Sequence, residues 1–238
     1  GLSHARNRGL QESKGKYIAY LDDDARADKH YIENLYNLFD QFSDAVDCYG
    51  GPILPFYTTQ KPDWFKDSYE ARRVKKEAHY LTRGQSFSGY NMIWKNCVLR
   101  EYCGFDPTLG MIGNRLWGGE ETFLFNKIWL NKRPRFFYSP NLIVYHWVPD
   151  YKMSVTYCFR RNFIGGQYLA RENRKNLKKS KRIFLLIKDI LKACVHGVIR
   201  RFQYSHWKSW VFEEFSILFQ NMGELLGLSG FNFNFRHK

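Results

Sequence analysis

Two kinds of hydrophobic pattern alternate along the first 150 residues of the chain. A short apolar run at 17–21 predicts a strand, and apolar positions three or four residues apart at 28–42 predict an amphipathic helix. Further strands are predicted at 46–54, 86–94, 135–138 and 142–147, and further helices at 68–80, 96–102 and 120–131. Residues 1–16 are polar and are interpreted as a loop. This alternation predicts an α/β fold.

The last third of the chain has a different pattern. Beyond Pro149 the periodicity is helical almost to the end, with helices predicted at 154–172, 180–204 and 207–226. We therefore expect two domains, 1–150 and 151–238. The sequence contains no uninterrupted run of about 18 apolar residues, so no spanning helix is predicted.

Charge is distributed unequally between these two parts. Residues 1–150 hold 20 Lys and Arg against 18 Asp and Glu, whereas residues 151–238 hold 17 against 5, a net charge of +12. Such a basic segment suits an anionic surface, either a membrane or a nucleic acid. The predicted helix near 178–201 mixes lysines with a broad apolar face. It suits a membrane interface, or equally a helix packed on the rest of the protein with its lysines in solvent.

The five cysteines are scattered along the chain and never form a CxxC pair. They are interpreted as reduced core thiols of a cytosolic protein, because a disulfide or zinc framework would need paired spacings.

Three consecutive aspartates, Asp22, Asp23 and Asp24, follow the first predicted strand. In an α/β fold, the carboxyl ends of strands border the crevice where ligands bind. Neighbouring carboxylates repel one another unless a positive charge lies between them. A divalent cation with oxygen ligands can supply that charge, often together with a phosphorylated substrate. An acidic turn or a helix cap explains the triplet equally well when it is taken alone.

A second acidic site follows two glycines, where Glu120 and Glu121 open the predicted helix at 120–131. Glycine allows the backbone to approach a ligand closely, and the positive end of the helix dipole favours ionised carboxylates. An ionised, well-placed carboxylate can act as a general base. Helix capping by the two glutamates is the simpler alternative.

Four segments of the chain together resemble the family 2 glycosyltransferases of the GT-A fold, which transfer a sugar from a nucleotide sugar to an acceptor hydroxyl. The segments are 5–9 (ARNRG), 20–24 (YLDDD), 89–92 (GYNM) with 104–106 (GFD), and 119–121 (GEE). The resemblance covers roughly residues 1–150. It implies a Rossmann-like GT-A domain for nucleotide-diphospho-sugars, followed by a basic helical tail that the family does not explain.

The resemblance implies roles for both acidic sites. Asp22 and Asp24 match the DxD motif of the family, and Asp23, the intervening position, is grouped with the donor-binding residues. Asp24 would ligate Mg²⁺ or Mn²⁺ at the nucleotide diphosphate, and Asp22 would contact the ribose or the donor sugar and border the metal. Glu121 matches the catalytic base, where the family more often has Asp, and Glu120 would hold the acceptor.

Four further residues enter the predicted site through the same resemblance. Arg6 and Asn7 would bind the donor, and Trp117 resembles a tryptophan that closes over donor and acceptor in some relatives. His146 ends a predicted strand, and some GT-A enzymes have a histidine after this strand. It is therefore a candidate third metal ligand or phosphate contact, and a purely structural histidine is the alternative.

The chemistry of inverting transfer agrees with these roles. It needs a base on the acceptor hydroxyl, in-line attack at the anomeric carbon and stabilisation of a departing diphosphate. We expect a nucleotide sugar, with UDP-sugar favoured, as donor and a glycan or lipid-linked acceptor. Polysaccharide assembly at the cytoplasmic face of an anionic cell membrane is the expected setting.

Two features temper this interpretation. The GT-A fold normally begins with about two strands and a helix that form much of the nucleotide pocket. No residues here correspond to them, so we expect an amino-terminally truncated domain, with an inactive fragment as the alternative to a working enzyme. The basic tail also suits a nucleic-acid-binding protein or a non-catalytic membrane-binding module. The acidic sites would repel a nucleic acid, so no nucleic-acid partner is expected.

Overall fold

The computed structural model describes residues 1–42, 44–111, 113, 118–131, 133–173, 179–231, 233 and 235. These residues divide into two compact units. The first comprises 1–58, 67–110 and 119–148, and the second comprises 59–66, 111–118 and 149–238.

The described residues of the first unit form short strands and four helices. The helices are α1 (Leu2–Glu12), α2 (Tyr31–Phe42), α3 (Asn96–Glu101) and α4 (Glu120–Asn131). The strands are β1 (Tyr17–Tyr20), β2 (Ala25–Ala27), β3 (Cys48–Gly50), β4 (Ile53–Phe56), β5 (His79–Tyr80), β6 (Met92–Lys95), β7 (Phe136–Tyr138) and β8 (Val144–Trp147). A 3-10 turn spans Asp67–Tyr69.

The strands of this unit form two sheets. The larger has the order β1-β6-β3-β7-β5, in which β3 and β7 are parallel and the other neighbours antiparallel. The smaller has the order β2-β8-β4, with β2 antiparallel and β4 parallel to β8.

Helices cover both faces of the larger sheet. Because side chains alternate along a strand, Trp94 of β6 packs with the core that contains α3 and α4 residues, while Ile93 packs with the core that contains α2 residues. Both side chains are almost completely buried. Strands buried on both faces are apolar throughout, which explains why their sequence shows no polar alternation. The expected α/β class is confirmed.

Helix α1 replaces the loop that was expected over residues 1–16. Its buried positions are Ser3, Arg6 and Leu10, three and four residues apart as on one helix face. Two of these three side chains are polar. The buried face of α1 therefore produces no hydrophobic periodicity in the sequence, and the loop prediction was wrong for this reason.

Two other expected elements differ in the structure. Residues 46–54 form parts of β3 and β4, in different sheets, instead of one strand. The chain breaks at Gly51, where a Cβ would lie 2.1 Å from the carbonyl oxygen of Leu142, and at Pro52, which has no N–H to donate. The helix expected at 68–80 is also absent from this described segment. The backbone N–H and C=O of Arg72 pair with Ile53 instead of forming helical bonds.

The second unit is mainly helical, as expected for the end of the chain. It contains α5 (Val155–Asn173), α6 (Lys179–Ile199) and α7 (Trp207–Leu228), with 3-10 turns at Asp150–Met153 and Arg201–Gln203. Helices α5 and α7 pack so closely that a Cβ on Gly166 would lie 1.8 Å from the carbonyl oxygen of Gln220. None of the described helices has both the length and the apolar character needed to cross a membrane.

Candidate active site

A tight turn presents the aspartate triplet directly after β1. The carbonyl of Asp22 accepts a hydrogen bond from the backbone N–H of Ala25 at 3.1 Å, which reverses the chain into β2. Asp22 and Asp24 are partly buried, whereas Asp23 between them is exposed. The triplet thus offers two carboxylates to the interior of the site and one to solvent.

The short ladder between β2 and β8 brings Asp24 to His146. Ala25 is paired with His146, and the backbone N–H of Trp147 donates to the carbonyl of Asp24 at 2.8 Å. As a result, Nε2 of His146 lies 3.2 Å from Oδ2 of Asp24. The imidazole also stacks on the ring of Tyr90, with centroids 4.6 Å apart. The register of this ladder therefore determines the Asp24–His146 pair.

Arg6 of α1 connects the triplet to the second acidic site. Its guanidinium donates from Nη1 to Oε1 of Glu120 at 2.9 Å and from Nη2 to Oδ1 of Asp22 at 3.3 Å. Nη1 also lies 3.6 Å from Oε1 of Glu121. The two acidic motifs, distant in sequence, therefore meet at one buried positive charge.

Gly89 fixes the orientation of Glu121. Its backbone N–H donates to Oε1 of Glu121 at 2.8 Å. A Cβ at Gly89 would lie 2.3 Å from this oxygen and 2.1 Å from Nη2 of Arg6. Only glycine fits here without displacing one of the two side chains. The sequence marked residues 89–92 as a motif but gave no role to Gly89 or to Tyr90.

Burial separates the charged residues into two layers. The side chains of Arg6 and Glu120 are each 4% exposed. Those of Asp22, Asp24 and Glu121 are 25%, 32% and 19% exposed. The buried Arg6–Glu120 pair therefore lies beneath the surface of the site. The carboxylates of Asp22, Asp24 and Glu121 are accessible to a ligand.

The charges in this cluster perturb one another strongly. Burial and the charge of Glu121 raise the pKa of Glu120 to about 7, although Arg6 acts in the opposite direction. Burial by itself lowers the pKa of Arg6, but the charges of Glu121, Asp22 and Glu120 outweigh it, so that this pKa is raised. One guanidinium therefore faces three carboxylates, and Glu120 is the carboxylate whose pKa burial and Glu121 raise.

Asn7, a predicted donor contact, holds a neighbouring loop. Its side chain donates to the carbonyl of Phe105 at 2.7 Å and accepts from the N–H of the same residue at 2.8 Å. Gly104 has φ +69°, and a Cβ there would lie 2.4 Å from Oδ1 of Asn7. The segments 5–9 and 104–106 are therefore joined directly. Trp117, the other predicted donor contact, lies outside the described residues.

Asp24 and His146 are the residues best arranged to share a cation. In the described part of the chain, no three His, Cys, Asp or Glu side chains come together as a ligand cluster. A carboxylate and an imidazole suit a divalent ion whose remaining ligands are oxygens of water or of a substrate phosphate. The residues present therefore fit a shared, substrate-completed metal site.

A comparison with protein-family models finds a match to part of the first unit. The family model described as glycosyl transferase family 2 matches residues 1–96, which include α1 and the aspartate triplet. This match covers less than half of the chain and shows a similarity to the family over residues 1–96. The match ends before α4, so the assignment of the two glutamates depends on the contacts described above.

Two curated relatives resemble this chain. It is 25% identical over 169 residues to the glucosyl-dolichyl phosphate glucuronosyltransferase of Haloferax volcanii. This aligned region covers 70% of this chain and 54% of the relative. The chain is 31% identical over 84 residues to the minor teichoic acid biosynthesis protein GgaB of Bacillus subtilis, covering 34% of this chain and 9% of the relative. The chain thus spans about half of the first relative and a small part of the second.

Two solved structures are also similar. One is GalNAc-T7 with UDP, GalNAc and Mn²⁺, with a TM-score of 0.47 and 19% identity over 75% of this chain and 38% of that chain. The other is residues 1–349 of S. aureus TarS, with a TM-score of 0.45 and 12% identity over 96% of this chain and 68% of that chain.

Proposed function

We propose that the protein transfers a sugar from a nucleotide-sugar donor to an acceptor hydroxyl, with inversion at the anomeric carbon and with the help of Mg²⁺ or Mn²⁺. The observation that supports this most directly is the bridge made by Arg6, which contacts both Asp22 and Glu120. It brings the proposed donor-side carboxylate and the proposed acceptor-side glutamates into one site, which supports a displacement with a reacting group at each end.

Glu121 is proposed as the general base. It is the more accessible of the two glutamates, and the N–H of Gly89 holds one of its oxygens. In the proposed step Glu121 takes the proton of the acceptor hydroxyl, the acceptor oxygen bonds to the anomeric carbon, and the bond from that carbon to the diphosphate breaks. The nucleotide diphosphate leaves with the electron pair.

Glu120 and Arg6 are proposed to support the site without contacting substrate. Both side chains are buried and bonded to each other. An acceptor or a nucleotide would therefore reach Glu121 and Asp22 before it reached this inner pair. This assignment differs from the direct substrate contacts that the family resemblance implies.

Asp24 and His146 are proposed to hold the cation. A divalent ion bound there would neutralise charge that develops on the departing diphosphate. Asp22, bonded to Arg6, would contact the ribose or the sugar. His146 is oriented for this task, because Tyr90 stacks on its ring and Asp24 lies beside Nε2.

The acceptor is proposed to be a glycan or a lipid-linked phosphate at the cytoplasmic face of a membrane, and the donor a UDP-sugar. The names of two relatives support this class, since one acts on a glucosyl-dolichyl phosphate and the other belongs to teichoic acid biosynthesis. Peripheral contact with an anionic membrane would bring the site to such an acceptor.

Transfer assays on the full chain test the proposal. Sugar nucleotides are incubated with polyprenyl-phosphate-linked acceptors and Mn²⁺, and nucleotide diphosphate and glycosylated product are both measured. Glu121→Gln should abolish transfer but retain donor binding, and Asp24→Asn should lose both transfer and metal-dependent donor binding. Asp23→Asn is the matched control, because Asp23 is exposed between the two functional positions.

The stereochemistry and the base are tested by the same product. Proton NMR coupling at the new anomeric centre should report the configuration opposite to that of the donor. Retention of configuration, or undiminished transfer by the Glu121→Gln variant, would contradict the mechanism.

A further inference from the structure

Helix α6 carries an apolar stripe along its solvent-facing side. The side chains that form it are between 47% and 70% exposed and lie three or four residues apart, as on one helix face. They are Phe184, Ile187, Leu191, Val195 and Val198. Phe202, in the 3-10 turn that follows, is 95% exposed. These five residues of α6 are called the apolar stripe below.

The opposite face of α6 is anchored on α7. Leu186 is buried in a cluster with Leu228, and the guanidinium of Arg182 makes two hydrogen bonds, 2.7 and 2.6 Å, to the fully buried carboxylate of Glu224. Helix α6 is held through this face, and its apolar stripe lies on the other side, exposed to solvent. Exposed apolar surface of this extent on a charged protein is typical of a docking surface.

Lysines border the apolar stripe. Lys181, Lys188 and Lys192 are exposed, and spacings of seven and four residues bring all three to one edge of it. Asp189, also exposed, is the acidic residue of this helix. With residues 151–238 carrying a net charge of +12, the surface combines an apolar centre with a positive border.

We propose that the apolar stripe of α6 docks in the plane of an anionic membrane, with its apolar side chains among the acyl chains and its lysines at the lipid phosphates. An apolar face with aromatic residues beside a lysine-rich border is the pattern of interfacial helices. A second copy of the chain is the less suitable occupant, since it would bring its own lysines against these. A nucleic acid would leave the apolar side chains in water.

The inference deepens the proposed function, on whose membrane setting it rests, by naming the surface that makes the contact. It can be tested without catalysis. The full chain is sedimented with vesicles of phosphatidylcholine alone or with added phosphatidylglycerol. We expect binding to the anionic vesicles only, and equal binding by the Glu121→Gln variant.

Substitutions on the two parts of the surface separate their contributions. Lys188→Gln and Lys192→Gln should each weaken partition to anionic vesicles by about fivefold. Phe184→Ser combined with Leu191→Ser should weaken it by about tenfold or more. Circular dichroism on each variant verifies that the helices are retained.

Matched controls come from the other unit. Ile32→Ser combined with Tyr36→Ser removes two equally exposed apolar side chains of α2, and Lys29→Gln removes an exposed lysine. Both should leave vesicle binding unchanged. The proposal is overturned if the protein binds neutral and anionic vesicles equally, or if the α2 and α6 variants lose vesicle binding equally. It is also overturned if substitutions in the apolar stripe abolish self-association, measured by analytical ultracentrifugation, and leave vesicle binding unaffected. Loss of transfer alone would contradict only the proposed enzymatic function.

Discussion

Glu120→Gln should remove a pH dependence of stability that the wild-type site creates. Glu120 is buried with one oxygen bonded to Arg6, and its Oε2 has no hydrogen-bond partner among the described residues. Burial and Glu121 raise its pKa from an ordinary value of 4.5 to about 7. The folded protein therefore binds this proton more tightly than the unfolded chain. By linkage, the stabilisation is complete below pH 4.5 and is lost as the pH rises to about 7.

The magnitude follows from the difference between the two pKa values. Each unit of difference corresponds to about 1.4 kcal/mol. With a pKa of about 7 in the folded state and 4.5 in the unfolded state, protonation of Glu120 contributes roughly 3.4 kcal/mol to the free energy of unfolding at low pH. About 2.5 kcal/mol of this contribution is lost between about pH 5 and about pH 8. Glutamine keeps an oxygen for Arg6 and cannot ionise. Between those two pH values, the free energy of unfolding of the wild type should fall by about 2.5 kcal/mol more than that of Glu120→Gln.

Urea unfolding followed by circular dichroism at a series of pH values measures this difference. Glu12→Gln is the matched control, because Glu12 is an exposed glutamate of α1 that pairs with Arg8 on the surface. Its difference from wild type should be small at every pH. A Glu120→Gln difference that is independent of pH would mean that Arg6 keeps Glu120 fully ionised. A difference of opposite slope would refute the assignment of Glu120 as the protonated member of the cluster.

Three further changes have definite expected outcomes. Gly166→Ala should destabilise the protein by about 1–3 kcal/mol in thermal unfolding, because its Cβ would lie 1.8 Å from a carbonyl oxygen of α7. Gly165→Ala is the control: its Cβ would enter open space, so it should be neutral or stabilising by up to about 1 kcal/mol. Gly89→Ala should lower kcat by about tenfold or more with little change in donor affinity, because it displaces Glu121; unchanged kcat would contradict the positioning role. Asp24→Asn should weaken Mn²⁺ binding measured calorimetrically with UDP present, and an unaltered affinity would remove Asp24 from the metal site.

Much of the α/β core could be predicted from the sequence because its elements have strong hydrophobic patterns. The amphipathic periodicity of α2 and the apolar strand β7 gave nearly correct positions, whereas the strand expected at 86–94 is shorter and begins later, as β6 (Met92–Lys95). Helix α1 escaped prediction because its buried face consists largely of Ser3 and Arg6. The three-residue strand β2 also escaped, since so short a segment has no measurable periodicity.

The site was predictable as a set of residue types but not as a set of contacts. The sequence identified both acidic motifs, and family resemblance supplied their expected roles. The pair of Asp24 with His146 depends on the register between β2 and β8, and the bridge by Arg6 depends on an unpredicted helix. Neither pairing has a local sequence signal, because each joins residues that are distant along the chain.

The Arg6 bridge alters how the aspartate triplet can hold a metal. Adjacent carboxylates need a positive charge, and Arg6 already supplies one to Asp22. A divalent ion would then meet mainly Asp24 and His146, which are too few ligands for tight binding of Mg²⁺ or Mn²⁺ alone. A substrate diphosphate offers the missing oxygens. We therefore expect the ion to bind weakly to the free protein and much more tightly with nucleotide, so that metal and donor enter the site together.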